Sequence, residues 1–487
     1  MSPTIGPPPG SATPPGGERP APGATDAHTP SSAPAKGGTI PIGSPGPTGE
    51  RAGAQGRPRA ARTDRLTTVW LCLAVLAAGA TTVLRTALPQ PLWTTIHLVT
   101  LGVLTNGILQ WSWYFARALL RLPPGDRHSG RDNTRRILAL NTALVVLIAS
   151  MWAQWAPGAV IGATGVGAVA AWHGLALVVA ARTRLASRFA VVLRYYATAA
   201  AFLVLAALLA GLVVTAAFAA SAPQWLVGAR STITVAHAIA GVGGWVGLTM
   251  GGTIVTLGPT AVRTRMDPRA VDLASLALPV WAAGLLAAVA GALAGHMRAV
   301  AAGLALVGLA AAAGIVYPLA RAAMRKGPSE YGSWSMCLGT AWILVGVAVV
   351  AQHAWVTGTG EQLRAANLPW LPIIGAGGLG QVFIGALTYL MPVVIGGGPR
   401  AVRVGVGALE AAAPMREAAR NAALVLLAAA TASQAPAAAP LATACWVVVL
   451  ATYLADIALM ARAGAAQARA RTAPPSPSPS NTGGLRG

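Results

Sequence analysis

The sequence predicts an all-α, polytopic membrane protein with about twelve transmembrane helices. Three observations predict it. Of 487 residues, 55% are hydrophobic and only 10% are charged, a balance far from that of soluble domains. The apolar residues gather into runs near the ~20 residues that a spanning helix needs. The basic residues fall between those runs, on alternate connections, as loop charges do when they fix topology.

Residues 1–65 are rich in Pro and Gly. They offer nothing to bury and are expected to form a disordered cytoplasmic tail. Apolar spans then follow at 66–88, 92–120, 137–156, 158–181, 194–220, 231–258, 272–294, 299–320, 334–356, 369–396, 418–434 and 439–461. An Ala-Pro-Gly turn at 156–158 divides the third from the fourth, and the Pro436–Pro440 stretch divides the last two, since such pairs punctuate chains more often than they kink helices. The transmembrane domain is therefore 66–461, and the Arg-, Pro- and Ser-rich residues 462–487 form a second disordered tail.

Orientation follows from charge. With the N-terminus, the even-numbered connections and the C-terminal tail on one side, that side holds 31 of the 35 Lys and Arg. Arg85, Arg230, Arg298 and Arg364 are left on the other. The split places both termini in the cytoplasm and the protein in the plasma membrane. It also reassigns the net charge of +22 from nucleic-acid binding to topology. Cys72, Cys337 and Cys445 lie inside apolar spans with no CxxC spacing, which favours neither a disulfide framework nor a thiolate metal site.

The sixth span, around STITVAHAIAGVGGWVGLTMGGTIVTLG, reads as a central helix. Gly243, Gly247 and Gly251 recur every four residues, a spacing that lets neighbouring helices approach closely. The span also carries His237, and an ionisable group inside a membrane is a functional candidate by default. His97 on the second span sits at matching depth, about six residues or ~9 Å from the outer surface. Two neutral imidazoles at one level can share a haem or a metal. His296 and His353 also fall toward the outer ends of their helices and complete the candidate metal set with His237. His28 and His128 lie outside the spans, and His173 within the fourth. For each histidine the plainer role is a hydrogen bond to a backbone carbonyl or water.

Asn106 and Gln110 share a face of the second span, where interhelical hydrogen bonding is the commoner role. Trp111, Trp113 and Tyr114 read as interface anchors. Gln381 lies mid-span in the tenth helix. Asp456 is the only carboxylate in the interior of a span, Asp272 standing at the very start of the seventh, and Arg462 is the nearest basic residue along its helix. A lone carboxylate supports neither a relay of acids nor a hydrolytic pair.

Three stretches, HLVTLGVLTNGILQWSW (97–113), AHAIAGVGGWVGLTMGGTIVTLGPTAVRTRM (236–266) and GQVFIGALTYLMPVVIGGGP (380–399), resemble the membrane region of actinobacterial proteins labelled copper oxidases. That region is in turn similar to subunit I of haem–copper oxidases and to NnrS membrane haem proteins. The resemblance covers nearly all of 66–461 and implies an oxidase-like helical bundle. It implies a low-spin haem ligand at His97 and a copper ligand at His237. It also implies a redox, nitric-oxide-related or copper-homeostasis role, and a cupredoxin or other redox partner. The departures matter. The tenth span carries no histidine, the seventh has no adjacent pair, and Gly241 stands four residues after His237 where the oxidases place tyrosine. Reduction of oxygen to water is therefore not expected. A cofactor-free subunit that docks a cupredoxin-type partner, or a transporter, are the alternatives.

Overall fold

A computed structural model describes residues 58–122, 130–182 and 190–472, with side chains from residue 68 onward. His28, His128 and most of both expected tails lie outside these residues. Among the described residues, twelve helices overlap the expected apolar spans. They are α1 Pro58–Val83, α2 Pro91–Leu120, α3 Arg131–Trp152, α4 Ala156–Arg182, α5 Ala190–Phe218 and α6 Arg230–Ala261. The rest are α7 Ala270–Leu293, α8 Met297–Arg325, α9 Tyr331–Val356, α10 Leu371–Ile395, α11 Ala413–Ser433 and α12 Pro436–Thr472. No strand occurs among the described residues.

Each expected span is largely helical, and ten of the helices are long and apolar enough to cross a membrane. The protein is a multi-pass integral membrane protein. The two helices outside the ten are instructive. The described apolar part of α1 is only Thr68–Val83. The first turns of α11 carry Arg416, Glu417 and Arg420, which lower its apolarity. Helix ends also depart from expectation. α1 begins at Pro58 and α12 runs to Thr472, so helix extends into both expected tails. The turn between α3 and α4 falls at 153–155, just before the Ala-Pro-Gly sequence, because Pro157 is accommodated in the first turn of α4.

α6 is the central element, with 72% of its apolar window buried inside the protein. Its glycines explain how it is packed on two sides. A Cβ on Gly243 would lie 2.9 Å from Leu285, and one on Gly251 would lie 3.2 Å from Trp281, both on α7. On the other side, a Cβ on Gly244 would clash with Phe202, and one on Gly252 would lie 2.6 Å from Tyr195, both on α5. A larger residue at Gly244 or Gly252 would press on the Cβ of the facing side chain, and one at Gly243 or Gly251 would need the facing side chain to shift.

Four helices are interrupted by wider, π-helical turns: α2 at Leu98–Thr105, α6 at Ile239–Gly247, α8 at Ala312–Val316 and α10 at Gly375–Gly380. Such turns are rare and concentrate at functional sites. Two of them are closed by the same side-chain device. At the end of the α2 stretch, Asn106 Nδ2 donates to the Gly102 carbonyl at 2.8 Å. At the end of the α10 stretch, Gln381 Nε2 donates to the Gly377 carbonyl at 2.7 Å. Each amide also exchanges reciprocal hydrogen bonds with an asparagine on a neighbouring helix, Asn141 on α3 and Asn421 on α11. Gln110 accepts from Asn133 on α3, so both polar residues of α2 make the interhelical bonds expected of them.

Candidate functional site

His97 and His237 come together. His97 is the last residue before the π-helical stretch of α2, and His237 lies two residues before that of α6. Their ring centroids are 6.2 Å apart and their planes differ by 17°. The Nδ1 atom of His97 is 2.8 Å from the Trp93 carbonyl, and that of His237 is 2.9 Å from the Ala206 carbonyl on α5. A carbonyl can only accept, so both Nδ1 atoms carry the proton. In a neutral imidazole the Nε2 lone pair is then exposed for a donor or a metal. Trp93 stacks on His97 with centroids 4.2 Å apart, which helps to hold the ring in place.

The spacing can be tested against ligation. A metal–nitrogen bond of about 2.0–2.1 Å and an imidazole ring radius of about 1.15 Å put the centroids of two opposed ligands roughly 6.3 Å apart. The observed 6.2 Å is close to that separation, but the two rings are stacked, with planes 17° apart, whereas ligands opposed across one metal meet edge to edge. Plain aromatic pairs also populate about 4.5–7 Å, so distance alone does not single out a metal. The Nδ1–H to carbonyl bonds add the missing part: ligating histidines hold their second nitrogen in this way, which fixes tautomer and ring orientation. Beside His237, a Cβ on Gly241 would meet only Ala206 Cβ, at 3.8 Å, so the position one turn along is free of bulk. The donor set, two neutral imidazoles with uncommitted Nε2 lone pairs, is of the type that haem iron or copper takes.

The other proposed metal ligands do not join them. His296 is exposed and precedes the first turn of α8. His353 donates from Nδ1 to Asn367 Oδ1 at 3.0 Å and packs edge-on to Trp370. With Gln352 and Trp370 it lines a separate cavity of about 790 Å³ between the ends of α9, α11 and α12. Among the described residues, no group of three or more His, Cys, Asp or Glu is placed to hold a metal ion. His237, His296 and His353 thus do not form one ligand set.

Deeper in the same region, His173 is fully buried on α4. The Ser112 hydroxyl lies 2.5 Å from the Ile108 carbonyl and 2.9 Å from His173 Nε2. It donates to the carbonyl and accepts from the ring. Trp113, expected at the membrane boundary, is 2% exposed and lies under the Arg136 guanidinium at 4.9 Å. A buried cation needs a partner face, and the indole supplies it.

A second polar centre occupies α9, α11 and α12. Asp456 is ion-paired with both Arg416 and Arg420. Tyr331 Oη donates to Asp456 at 2.5 Å and accepts from Arg420 at 2.8 Å. The remaining guanidinium donors reach Thr452 and the carbonyls of Leu409 and Ala411. Arg462, the nearest base along the helix, is exposed and is not the partner. The paired arginines precede or open the expected eleventh span, and their spacing of four residues was the available signal.

No protein-family model matches the chain, and neither a curated protein nor a solved structure matches it.

Proposed function

We propose that this protein binds haem iron or copper between the Nε2 atoms of His97 and His237, in the outer half of a twelve-span plasma-membrane bundle of oxidase-like type with cytoplasmic termini. Its role on this reading is redox chemistry, nitric oxide handling or copper homeostasis. The observation that supports it is the pairing itself. Two imidazoles 140 positions apart in sequence meet at 6.2 Å with nearly parallel ring planes. Each has its other nitrogen committed to a backbone carbonyl. A haem or copper centre would supply one-electron chemistry, and the two histidines would hold it and tune it through those carbonyl bonds. A redox partner, of which a cupredoxin is one kind, would exchange electrons at this end of the bundle.

The test is a visible spectrum and metal analysis of protein purified from haem- and copper-replete cells. A Soret band, or bound copper, that disappears in both His97→Ala and His237→Ala supports the reading and tells the two centres apart. A colourless, metal-free preparation overturns it.

Transport is the second reading, favoured by one observation: π-helical turns interrupt three helices near buried polar groups. Interrupted helices with polar groups at mid-depth are a transporter device. Substrate-dependent uptake into vesicles, undiminished in the histidine variants, would decide for it.

A further inference from the structure

The two histidine-bearing stretches are joined a second time. Thr105 lies eight residues after His97, and Trp245 lies eight residues after His237. Trp245 Nε1 donates to Thr105 Oγ1 at 2.9 Å. Thr105 Oγ1 in turn donates to the Thr100 carbonyl, five residues back, at 2.8 Å, and so fastens onto the wide-turn backbone of α2 itself. Both side chains are buried, at 1% and 2% exposure. The same neighbour, α5, supports both levels of α6: Ala206 accepts from His237, and Phe202 fills the notch at Gly244, beside Trp245.

The two π-helical stretches therefore form a closed frame. The imidazoles make one crosspiece, the Trp245–Thr105 hydrogen bond makes the other, and equal eight-residue arms connect them. An α-helical ladder resists sliding and rotation through its regular bonds. A wide turn is less well fixed, because its hydrogen-bond geometry departs from the ideal. A second tie across the frame is what holds two such stretches at one rotation.

We propose that Thr105 and Trp245 are positioning residues, whose hydrogen bond sets the separation and relative tilt of His97 and His237. This inference rests on the reading that the two imidazoles grip one metal centre, but its geometric part can be measured without that centre.

The experiment uses the full chain in lipid nanodiscs and compares Thr105→Val, Trp245→Phe and Thr105→Ser. Valine removes the hydroxyl at nearly constant volume, phenylalanine removes the indole N–H, and serine restores the hydroxyl. The first readout is the cofactor's axial-ligand spectrum and its transfer rate to a scavenger, apomyoglobin for haem or bathocuproine for copper. The second is the yield of a short bis-methanethiosulfonate cross-link in a His97→Cys/His237→Cys background, with and without Thr105→Val.

Thr105→Val and Trp245→Phe should each shift the spectrum and speed transfer by about tenfold, the lower end of effects seen for residues that orient ligands. Thr105→Ser should restore both. Cross-linking should fall with Thr105→Val and return with Thr105→Ser. If Trp245→Phe fails to fold, the Thr105 pair carries the test alone. Wild-type spectrum, transfer and cross-link yield in Thr105→Val would overturn the inference while leaving the histidine centre intact. A metal-free wild type with hydroxyl-dependent cross-linking would do the reverse, sustaining the frame and removing the centre.

Discussion

The two buried polar regions of this protein solve the same problem in opposite ways. At the His97–His237 pair of α2 and α6 the polar groups are neutral imidazoles, and each spends one nitrogen on a backbone carbonyl. Around α9, α11 and α12 they are ions. There, both oxygens of Asp456 are engaged by guanidiniums and the tyrosine hydroxyl, and both arginines are bonded in turn. A neutral region can leave a lone pair exposed at small cost. A charged region cannot, because an uncompensated ion away from water is far more costly than an unpaired dipole. The first arrangement leaves one nitrogen of each ring uncommitted, and the second commits Asp456, Arg416 and Arg420 to one another.

The sharpest way to break this contrast is to remove the carboxylate charge. Asp456→Asn leaves two buried arginines facing a neutral amide and should destabilise the protein by about 3–5 kcal/mol. Loss of folded protein in detergent, or a large fall in thermal midpoint, would show it. A midpoint near wild type would mean that the network is not what holds α11 to α12.

The reciprocal amide pairs come next. Asn106→Leu strands Asn141, and Gln381→Leu strands Asn421, at an expected cost of about 1–3 kcal/mol each. Because the two devices are alike, the two losses should be similar. A much larger loss for Gln381 would show that Asn421, which also accepts from Trp342 and bonds Glu417, belongs to the charged region instead.

For the histidines the contrast predicts little structural effect. His97→Ala and His237→Ala each remove one hydrogen bond to a carbonyl, worth about 1 kcal/mol. Stability measured without cofactor should therefore change slightly while any cofactor spectrum is lost. If either variant is as damaging as Asp456→Asn, the distinction between a ligand site and a structural lock fails.

The smallest effect concerns Glu410, outside the spans, which accepts twice from the Tyr331 backbone N–H at 3.0 and 3.1 Å. Burial, the largest influence on it, pushes its carboxyl above the usual carboxylate range. A folded-state pKa above the unfolded value means that the folded protein holds the proton more tightly. The resulting stability is present below the unfolded pKa and is lost as pH rises through the folded one. Glu410→Gln should flatten that decline in a thermal-midpoint titration over about pH 4–7. A profile unchanged by the substitution would remove Glu410 as its source.

Sequence made the helices legible, because spanning length and loop charge are one-dimensional properties. It also made His97 and His237 legible as a pair, since equal depth can be counted along two helices of known direction. It could not supply the partner of Asp456, because Arg416 lies before the apolar run that defined the eleventh span. Nor could it show the π-helical turns, because a widened turn leaves no periodic signature of the kind that marks a span. Trp113 went to the boundary for a similar reason: an indole near the end of a span looks the same whether it meets lipid headgroups or the Arg136 guanidinium.

The ion pairs of Asp456 have a consequence for biogenesis. Arg416 and Arg420 stand in the leading turns of α11, and their counter-charge is not synthesised until 36 residues after Arg420. The docking of α11 therefore waits on the last helix to be made. A chain truncated before residue 456 would leave both guanidiniums without their carboxylate, a state that protease sensitivity of α11 can read directly.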